Sequence, residues 1–295
     1  MLKVNVIHTG YLKLDGGAMF GVVPKRMWEK LNPPDEHNMC TWSMRALLVG
    51  TGSRKILIDT GVGNKQDAKF RAHFEPHGSE SLFDSLQQAG LRRTDITDVF
   101  LTHLHFDHCG GALWRNEATG ETELSFPNAV YWSNKRHWDW AIHPNAREKA
   151  SFLPENILPL QEKGRVQFIE VRQNIQFLPG FRVHFFYGHT EAMMAPLLQT
   201  DQGTVFYCAD TIPSQWHIGL PYVMAYDVRP LGSLREKARR LKAAALKNHL
   251  LVFEHDPVAE AGRVKFDAAG RIVLDRVGAL ETVSGIKPAQ VTSSG

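Results

Sequence analysis

Residues 102–111 read Thr-His-Leu-His-Phe-Asp-His-Cys-Gly-Gly and place three histidines and one aspartate within six positions. The apolar run VFLTH (99–103) leads into them and predicts a short buried strand that ends at this loop. Core packing does not call for an H-x-H-x-D-H pattern, whereas imidazole and carboxylate groups are ligands that divalent metals such as zinc accept. Four ligands exceed what one tetrahedral ion with an open position needs, so the loop indicates a two-metal centre. A solvated polar loop is the alternative.

Further residues of metal-ligand type follow apolar strands elsewhere in the chain. His189 follows FRVHFFYG, Asp210 ends VFYCAD, and His255 ends LLVFEH. A loop can present such a residue at the edge of a sheet. Taken alone, each is better explained as an ordinary polar residue that ends a strand. Together with the 102–111 loop, they supply the further ligands that two metals need.

The spacing of these residues indicates an internal duplication. Asp59 and Asp210 each end a predicted β-hairpin, and His103 and His255 each end the buried strand that comes next. Asp210 follows Asp59 by 151 positions, and His255 follows His103 by 152. Chance similarity between apolar strands is the alternative. A true repeat would bring equivalent strand ends to one edge of the molecule.

Three stretches that begin with a capping signal predict helices, over residues 79–90, 133–142 and 234–248. Ser79 and Ser133 are the expected N-caps of the first two helices. In the third, Ser233 and Glu236 have the spacing of a capping box.

The composition is that of an ordinary globular protein of 295 residues, with 43% hydrophobic and 22% charged residues, and it excludes wholesale disorder. The net charge of +3 is too small to indicate nucleic-acid binding. No uncharged apolar run approaches the roughly 18 residues that a membrane helix needs. The opening MLKVNVIHTG alternates apolar and polar residues and lacks the apolar region of a signal peptide. We therefore expect a protein that binds neither nucleic acid nor membrane.

The compartment and the domain organisation follow from similar signals. Three cysteines without a CxxC spacing suit a reducing compartment, so we expect a cytoplasmic protein. No low-complexity segment or linker divides the chain. We expect one domain over residues 1–285 and a C-terminal tail over residues 286–295.

The complete set of motifs resembles the metallo-β-lactamase superfamily. It comprises His103-x-His105-x-Asp107-His108, then His189, Asp210 and His255 in that order, preceded by Asp59 in Ile-Asp-Thr-Gly. The resemblance spans about residues 40–256. Thr-His-Leu-His-Phe-Asp-His is similar to the motif of the acyl-homoserine lactonases, which are quorum-quenching enzymes. The segments LDGGAMFGVVPK and VMAYD (223–227) look like their YtnP-like branch, which is akin to methyl parathion hydrolase.

This resemblance implies a fold and a role for each motif residue. The fold would be α/β (α+β), a four-layer αβ/βα sandwich with two sheets inside, helices outside and an internal duplication. The ligands would divide into His103, His105 and His189 for one metal, Asp107, His108 and His255 for the other, and Asp210 bridging both. Asp59 would orient a ligand histidine, because a metal-bound imidazole needs an acceptor for its other N–H.

The substrate pocket departs from the lactonase pattern at one position. Many acyl-homoserine lactonases carry a tyrosine three residues after the bridging aspartate, where it contacts the substrate carbonyl, and this chain has Pro213 there. Either another residue takes that role or the preferred substrate differs. Candidates for the role are Trp216, His217, Tyr222 and Tyr226, with core or pocket wall as the alternative. The expected pocket residues are Met19, Phe20, Phe106, Trp216, His217 and Tyr222.

The resemblance also implies a reaction. We expect two divalent ions, zinc first, with manganese, cobalt or iron as alternatives, and a metal-bridging hydroxide that opens a lactone ring, above all that of N-acyl-homoserine lactones. Asp107 is the expected catalytic residue, as the proton shuttle to the leaving alkoxide. An organophosphate or aryl-ester hydrolase is the main alternative. A superfamily nuclease, a thioesterase, a redox protein and a non-catalytic binding module are weaker ones. The expected partner is a small-molecule lactone or ester, and the expected assembly is a homodimer.

Overall fold

The computed structural model describes residues 1–173 and 175–285, so the expected tail over residues 286–295 lies outside the described residues. Its helices are α1 (Gly16–Phe20), α2 (Lys25–Trp28), α3 (Ala68–Phe74), α4 (Leu82–Gln88), α5 (Phe106–Cys109), α6 (Lys135–Ile142), α7 (Pro154–Glu162), α8 (Pro230–Lys247) and α9 (Leu280–Ser284). Its strands are β1 (Lys3–Asp15), β2 (Met39–Thr51), β3 (Arg54–Ile58), β4 (Asp98–Phe100), β5 (Leu113–Arg115), β6 (Thr122–Leu124), β7 (Val130–Ser133), β8 (Val166–Phe168), β9 (Ile175–Leu178), β10 (Phe181–Phe186), β11 (Met193–Thr200), β12 (Gly203–Tyr207), β13 (Leu250–Val252), β14 (Ala261–Phe266) and β15 (Ile272–Gly278).

The strands form a first sheet of order β1-β2-β3-β4-β7-β8 and a second sheet of order β15-β14-β13-β12-β11-β10-β9. In the first sheet, the antiparallel pair β2–β3 is followed by the parallel pair β3–β4. In the second, the antiparallel pair β11–β12 is followed by the parallel pair β12–β13. The two halves of the chain therefore repeat one local topology, at the positions where the sequence spacing indicated a duplication. The predicted mixed α/β fold is confirmed.

Alternate residues of β2 face opposite sides of the first sheet. Leu47 and Val49 pack in the buried cluster that contains the second sheet, whereas Ala46 and Leu48 pack in the cluster that contains α4, α6 and α7. This is the period of two that a strand buried on both faces requires. Helices α8 and α9 cover the second sheet at β14 and β15. The layers therefore run helices, first sheet, second sheet, helices. That residues 1–285 form one domain stays a prediction.

The predicted helix starts are wrong by a few residues. Helix α4 is capped by Ser81 and α6 by Asn134, instead of Ser79 and Ser133, because the Asn134 side chain accepts a hydrogen bond from the third backbone N–H of its helix. Helix α8 begins at Pro230, a residue suited to the first helical position. The predicted capping box at residues 233–236 therefore lies inside the helix.

The parallel pairs place chemically active loops side by side. Ile58 lies opposite Phe100 in the first sheet, and Tyr207 lies opposite Val252 in the second. The residues that follow these four strand ends include Asp59, the 102–108 loop, Asp210 and His255. A backbone hydrogen bond of 3.2 Å from Ser43 N to His255 O joins the two sheets at this edge. Among the described residues, no helix combines the length and the apolar character needed to cross a lipid bilayer.

Candidate metal centre

The loop after β4 turns back on itself and brings its polar residues together. Helix α5 begins directly after His105 and returns His108 to His103, so that the centroids of their buried rings lie 3.9 Å apart. The backbone of residue 108 is fixed by a hydrogen bond of 2.8 Å from Thr60 N. Gly111 permits this approach, because a Cβ atom there would lie 2.1 Å from the Thr60 carbonyl oxygen.

The seven predicted ligands converge from four strand ends and form two adjoining groups. In each group the candidate ligand atoms lie within 4.8 Å of one another. The groups are His103, His105, His189 and Asp210, and Asp107, His108 and His255. Asp210 lies between them, since its Oδ2 is 3.0 Å from His189 Nε2 and its Oδ1 is 3.0 Å from His255 Nε2.

The outer nitrogens of His255 and His189 are held by acceptors. His255 Nδ1 lies 2.8 Å from the carbonyl oxygen of Ser43, which can only accept, so Nδ1 carries the proton. His189 Nδ1 lies 2.9 Å from the Asp227 carboxylate and donates in the same way. In a neutral ring, the inner Nε2 atom of each therefore presents a lone pair to the centre.

The outer Nδ1 nitrogens of His103 and His108 are also held by acceptors. The hydroxyl proton of Thr102 goes to Asp59 Oδ2 at 2.7 Å, so Thr102 Oγ1 accepts from His103 Nδ1 at 3.0 Å. His108 Nδ1 faces two carboxylates, Asp59 Oδ2 at 3.2 Å and Glu254 Oε1 at 3.0 Å. Both rings again turn Nε2 inward, and Asp59 contacts His108, one of the candidate ligands.

The inward atoms fit a pair of cations. His108 Nε2 lies 3.2 Å from His255 Nε2, and His105 Nδ1 lies 3.1 Å from His103 Nε2. At these distances each pair of nitrogens needs positive charge beside it, which protons supply in the metal-free protein and metal ions would supply when bound. Asp210 Oδ1 is buried and lies 3.0 Å from His255 Nε2, without the geometry of a hydrogen bond among the described residues. Imidazole nitrogens and carboxylate oxygens in this number and arrangement suit two divalent ions, so the residues fit the metals that the fold implies.

Metal binding is expected to release protons and to strengthen as the pH rises. In the metal-free protein, burial opposes protonation of His189 and His255, but the Asp210 carboxylate outweighs it and raises their pKa values to about 10 and about 9. Both imidazoles are therefore protonated at pH 7 and must lose a proton before they bind a metal. The Kd for zinc should fall about tenfold per pH unit for each proton released, up to the raised pKa values.

Calorimetric titration with zinc measures this release. Two buffers that do not bind zinc and differ in ionisation enthalpy should give different heats at pH 7. Equal heats, together with a Kd that does not change between pH 6 and pH 8, would contradict the expectation.

Three acidic residues that contact the candidate ligands were missed by the sequence analysis: Glu148, Asp227 and Glu254. Glu148 Oε1 lies 3.5 Å from His105 Nε2, while its Oε2 accepts a hydrogen bond of 2.7 Å from Trp140 Nε1. Burial opposes ionisation of Glu148, but His105 and hydrogen-bond donors lower its pKa to about 2. Glu254 adjoins a predicted ligand and Asp227 ends the quoted VMAYD segment, so both were visible. Glu148 lies in a loop whose sequence has no periodicity or motif that indicates a metal site.

A cavity of about 410 Å³ opens onto the centre. Of the predicted pocket residues, Met19 and Phe106 line it, and Phe20, Trp216, His217 and Tyr222 do not. Residues that line it and were not predicted as pocket wall include His73, Phe74, Arg147, Met224 and Tyr226, the last of which was named only as a candidate for the tyrosine role.

The misplaced pocket residues form an aromatic cluster behind the cavity. The buried ring of Phe20 stacks on His217 with centroids 5.2 Å apart and planes at 3°. His217 is itself locked, because its Nε2 donates to Met19 O at 2.9 Å and its Nδ1 accepts from Ser214 Oγ at 2.7 Å. The prediction of Phe20 and His217 as pocket wall is corrected for this reason, and Trp216 and Tyr222 pack beside the same ring.

Tyr226 lies at the tip of a braced loop that faces the centre. The Arg147 guanidinium donates to the carbonyl oxygens of both neighbours, Ala225 and Asp227. Ala225 N in turn donates to Ala18 O at 2.8 Å. Burial, together with nearby carboxylates, raises the pKa of the Tyr226 phenol, so that it remains protonated and able to donate a hydrogen bond at neutral pH.

Comparison with known proteins identifies relatives over most of the chain. The family model described as the metallo-beta-lactamase superfamily matches residues 45–255. A probable metallo-hydrolase of Mycobacterium tuberculosis is 25% identical over 279 residues, which cover 81% of this chain and 85% of that protein. An N-acyl homoserine lactonase of Bacillus cereus is 24% identical over 246 residues, which cover 79% of this chain and 87% of that protein.

Solved structures show the same architecture. A probable metal-dependent hydrolase of Staphylococcus aureus superposes with a TM-score of 0.84 at 28% identity, over 96% of this chain and 98% of that chain. A dizinc quorum-quenching lactonase, solved with the product N-hexanoyl-L-homoserine, superposes with a TM-score of 0.72 at 23% identity, over 93% of this chain and 94% of that chain. At 23% identity, the similarity to the lactonase structure shows a shared fold and nothing about activity.

Proposed function

This chain belongs to the metallo-beta-lactamase superfamily and is a metallo-hydrolase, and from that premise we propose that it is a dinuclear enzyme that opens a lactone ring, most readily that of N-acyl-homoserine lactones. The observation that carries the proposal is the convergence of the seven ligand-type side chains beneath a cavity with apolar walls. The relatives named as N-acyl homoserine lactonases support the choice of substrate class.

The proposal assigns the metal ligands as two sets around a shared carboxylate. One ion would be held by His103, His105 and His189, the other by Asp107, His108 and His255, and Asp210 would contact both. Zinc suits these donors, and manganese, cobalt and iron accept them as well. Two such ions supply Lewis acidity and make a water molecule acidic enough to lose a proton near pH 7.

The chain's own residues bind the substrate and move its protons. Met19, Phe74, Phe106 and Met224 give the cavity an apolar wall against which an acyl chain packs. Asp107 lines the cavity, and its carboxylate takes a proton from the attacking water and delivers it to the leaving alcohol oxygen. Tyr226 donates a hydrogen bond to the oxygen on which negative charge develops.

Tyr226→Phe is expected to lower kcat/KM for an acyl-homoserine lactone about tenfold to a hundredfold, because it removes one donor to a charged oxygen. The zinc content and the melting temperature should not change, since the phenol binds no ligand residue. Tyr222→Phe is the matched control, because Tyr222 packs against Phe20 outside the cavity. Equal kcat/KM for wild type and both variants would remove Tyr226 from the reaction.

A substrate panel tests the proposed function. Zinc-loaded protein is assayed with N-hexanoyl-L-homoserine lactone, a simple lactone, an aryl ester and an aryl phosphotriester. We expect the highest kcat/KM with the acyl-homoserine lactone. A kcat/KM at least about tenfold higher with the phosphotriester or the aryl ester would overturn the lactone assignment and leave a metallo-hydrolase of the alternative class.

The proposal extends to the cellular setting. The cysteines Cys40, Cys109 and Cys208 are all buried and unpaired, which suits a reducing compartment and supports a cytoplasmic location. We propose a homodimer as the working assembly, which light scattering of the purified protein tests.

A further inference from the structure

A second cavity lies away from the metal centre, between α8 and β10. Its volume is about 630 Å³, and its wall includes Val183, Phe185 and Ala243 together with several arginines. Arg172 and Arg239 lie at its exposed mouth and Arg240 lines its buried part. The cavity thus combines apolar surface with three arginines, of which Arg172 is paired with Glu170 at 3.3 Å.

Arg240 is a buried cation without a counter-ion in the described part of the chain. The residue is only 7% exposed, and its guanidinium carbon lies 4.1 Å from the centroid of the Phe206 ring. One nitrogen donates to His249 Nδ1, and the buried Nε has no hydrogen-bond partner among the described residues. No carboxylate of residues 1–173 or 175–285 forms an ion pair with it.

The groups around Arg240 leave its charge uncompensated. Burial and the Arg240 charge lower the pKa values of His184 and of His249, the latter to about 4, so both rings are neutral. Glu236 lines the cavity, but its carboxylate accepts hydrogen bonds of 3.0 Å from Tyr187 N and from Gly188 N. An unpaired buried charge is destabilising, and proteins normally compensate it with an anion or a hydrogen-bonding partner.

We propose that this cavity is a binding site for a small oxyanion, a carboxylate or a phosphate, whose apolar body packs against the cavity wall. The anionic group meets the free donors of Arg240 at the floor, where a planar guanidinium binds such groups with two parallel hydrogen bonds. The apolar body lies against Phe186 and Ala243, which line the cavity, and Phe186 packs on Phe206, the ring that Arg240 covers. The cavity is far larger than an inorganic ion, which favours an amphiphilic ligand.

Isothermal titration calorimetry of zinc-loaded protein tests this site, with octanoate and inorganic phosphate as probes. The variants are Arg240→Met, the charge-preserving Arg240→Lys, and Arg235→Met, which changes an exposed arginine of the same helix outside the cavity. We expect the octanoate Kd to rise about tenfold in Arg240→Met, less in Arg240→Lys, and less than about twofold in Arg235→Met. Any binding at the metal centre persists in all variants and is identified by its inhibition of hydrolysis.

Thermal melting without a probe gives a second readout. Arg240→Met should melt no lower than wild type, because it removes an unpaired buried charge and keeps the contact with Phe206. Octanoate bound more tightly than phosphate supports an amphiphilic ligand, and equal affinities support recognition of the anionic group alone. Equal affinities in wild type and all variants, or no binding of either probe to wild type outside the metal centre, would overturn the proposal.

Discussion

Asp210→Asn is expected to lower kcat/KM about a hundredfold to several thousandfold and to reduce the zinc content of the purified protein. The Asp210 carboxylate lies 3.0 Å from both His189 Nε2 and His255 Nε2, at the boundary of the two ligand groups. The amide has no negative charge and offers an N–H donor where a cation is required. Loss of one partner from a buried set of charges costs about 3–5 kcal/mol, which corresponds to roughly a hundredfold to several thousandfold.

The measurement combines steady-state kinetics with metal analysis by mass spectrometry. Asp139→Asn is the control, because Asp139 pairs with Lys135 on the surface of α6 and should keep full activity and zinc content. The melting temperature gives a further readout, since a bound metal stabilises the folded state by mass action and a variant that loses zinc should melt lower. An Asp210→Asn protein with wild-type activity and zinc content would exclude Asp210 as a shared ligand.

The strand-end residues could be predicted because their positions follow from local sequence. An apolar run that ends in a histidine or an aspartate predicts both the strand and the edge at which the side chain lies. His103 and His255 are examples. The offset between Asp59 and Asp210 further indicated that the two halves of the chain have equivalent strand ends. The structure has such a repeat, since a hairpin followed by a parallel strand occurs in both sheets.

Most of the cavity wall could not be predicted, although Met19 and Phe106 were, because it depends on contacts between distant segments. Tyr226 lines the cavity in a loop that Arg147, 79 positions earlier, holds through the carbonyls on both sides of it. Phe20 does not line the cavity, because it packs in the aromatic cluster. A hydrogen bond between His217 and Met19, 198 positions apart, holds that cluster in place. Neither contact has a signal in the local sequence. The start of α8 was also predicted wrongly, because the helix begins at Pro230 and not at the residues with capping-box spacing.

Asp107→Asn is expected to lower kcat about a hundredfold to ten-thousandfold, which is the range that a positioned proton-transfer group contributes. The Asp107 carboxylate lines the cavity, and its Oδ2 lies 3.8 Å from His108 Nε2 and 3.7 Å from His255 Nε2. Asparagine keeps the shape and one oxygen ligand but cannot take up or release a proton near neutral pH. The loss should therefore fall on kcat more than on KM.

The comparison with Asp210→Asn separates proton transfer from metal binding. The first set of candidate ligands, His103, His105 and His189, does not include Asp107, so Asp107→Asn should retain more zinc than Asp210→Asn. Substrates with a better leaving group need less help from an acid, so the loss in kcat should shrink for an aryl ester relative to an alkyl lactone. An equal loss for both substrates with full zinc content would contradict a role in protonating the leaving oxygen. Wild-type kcat with the lactone would exclude Asp107 from the reaction altogether.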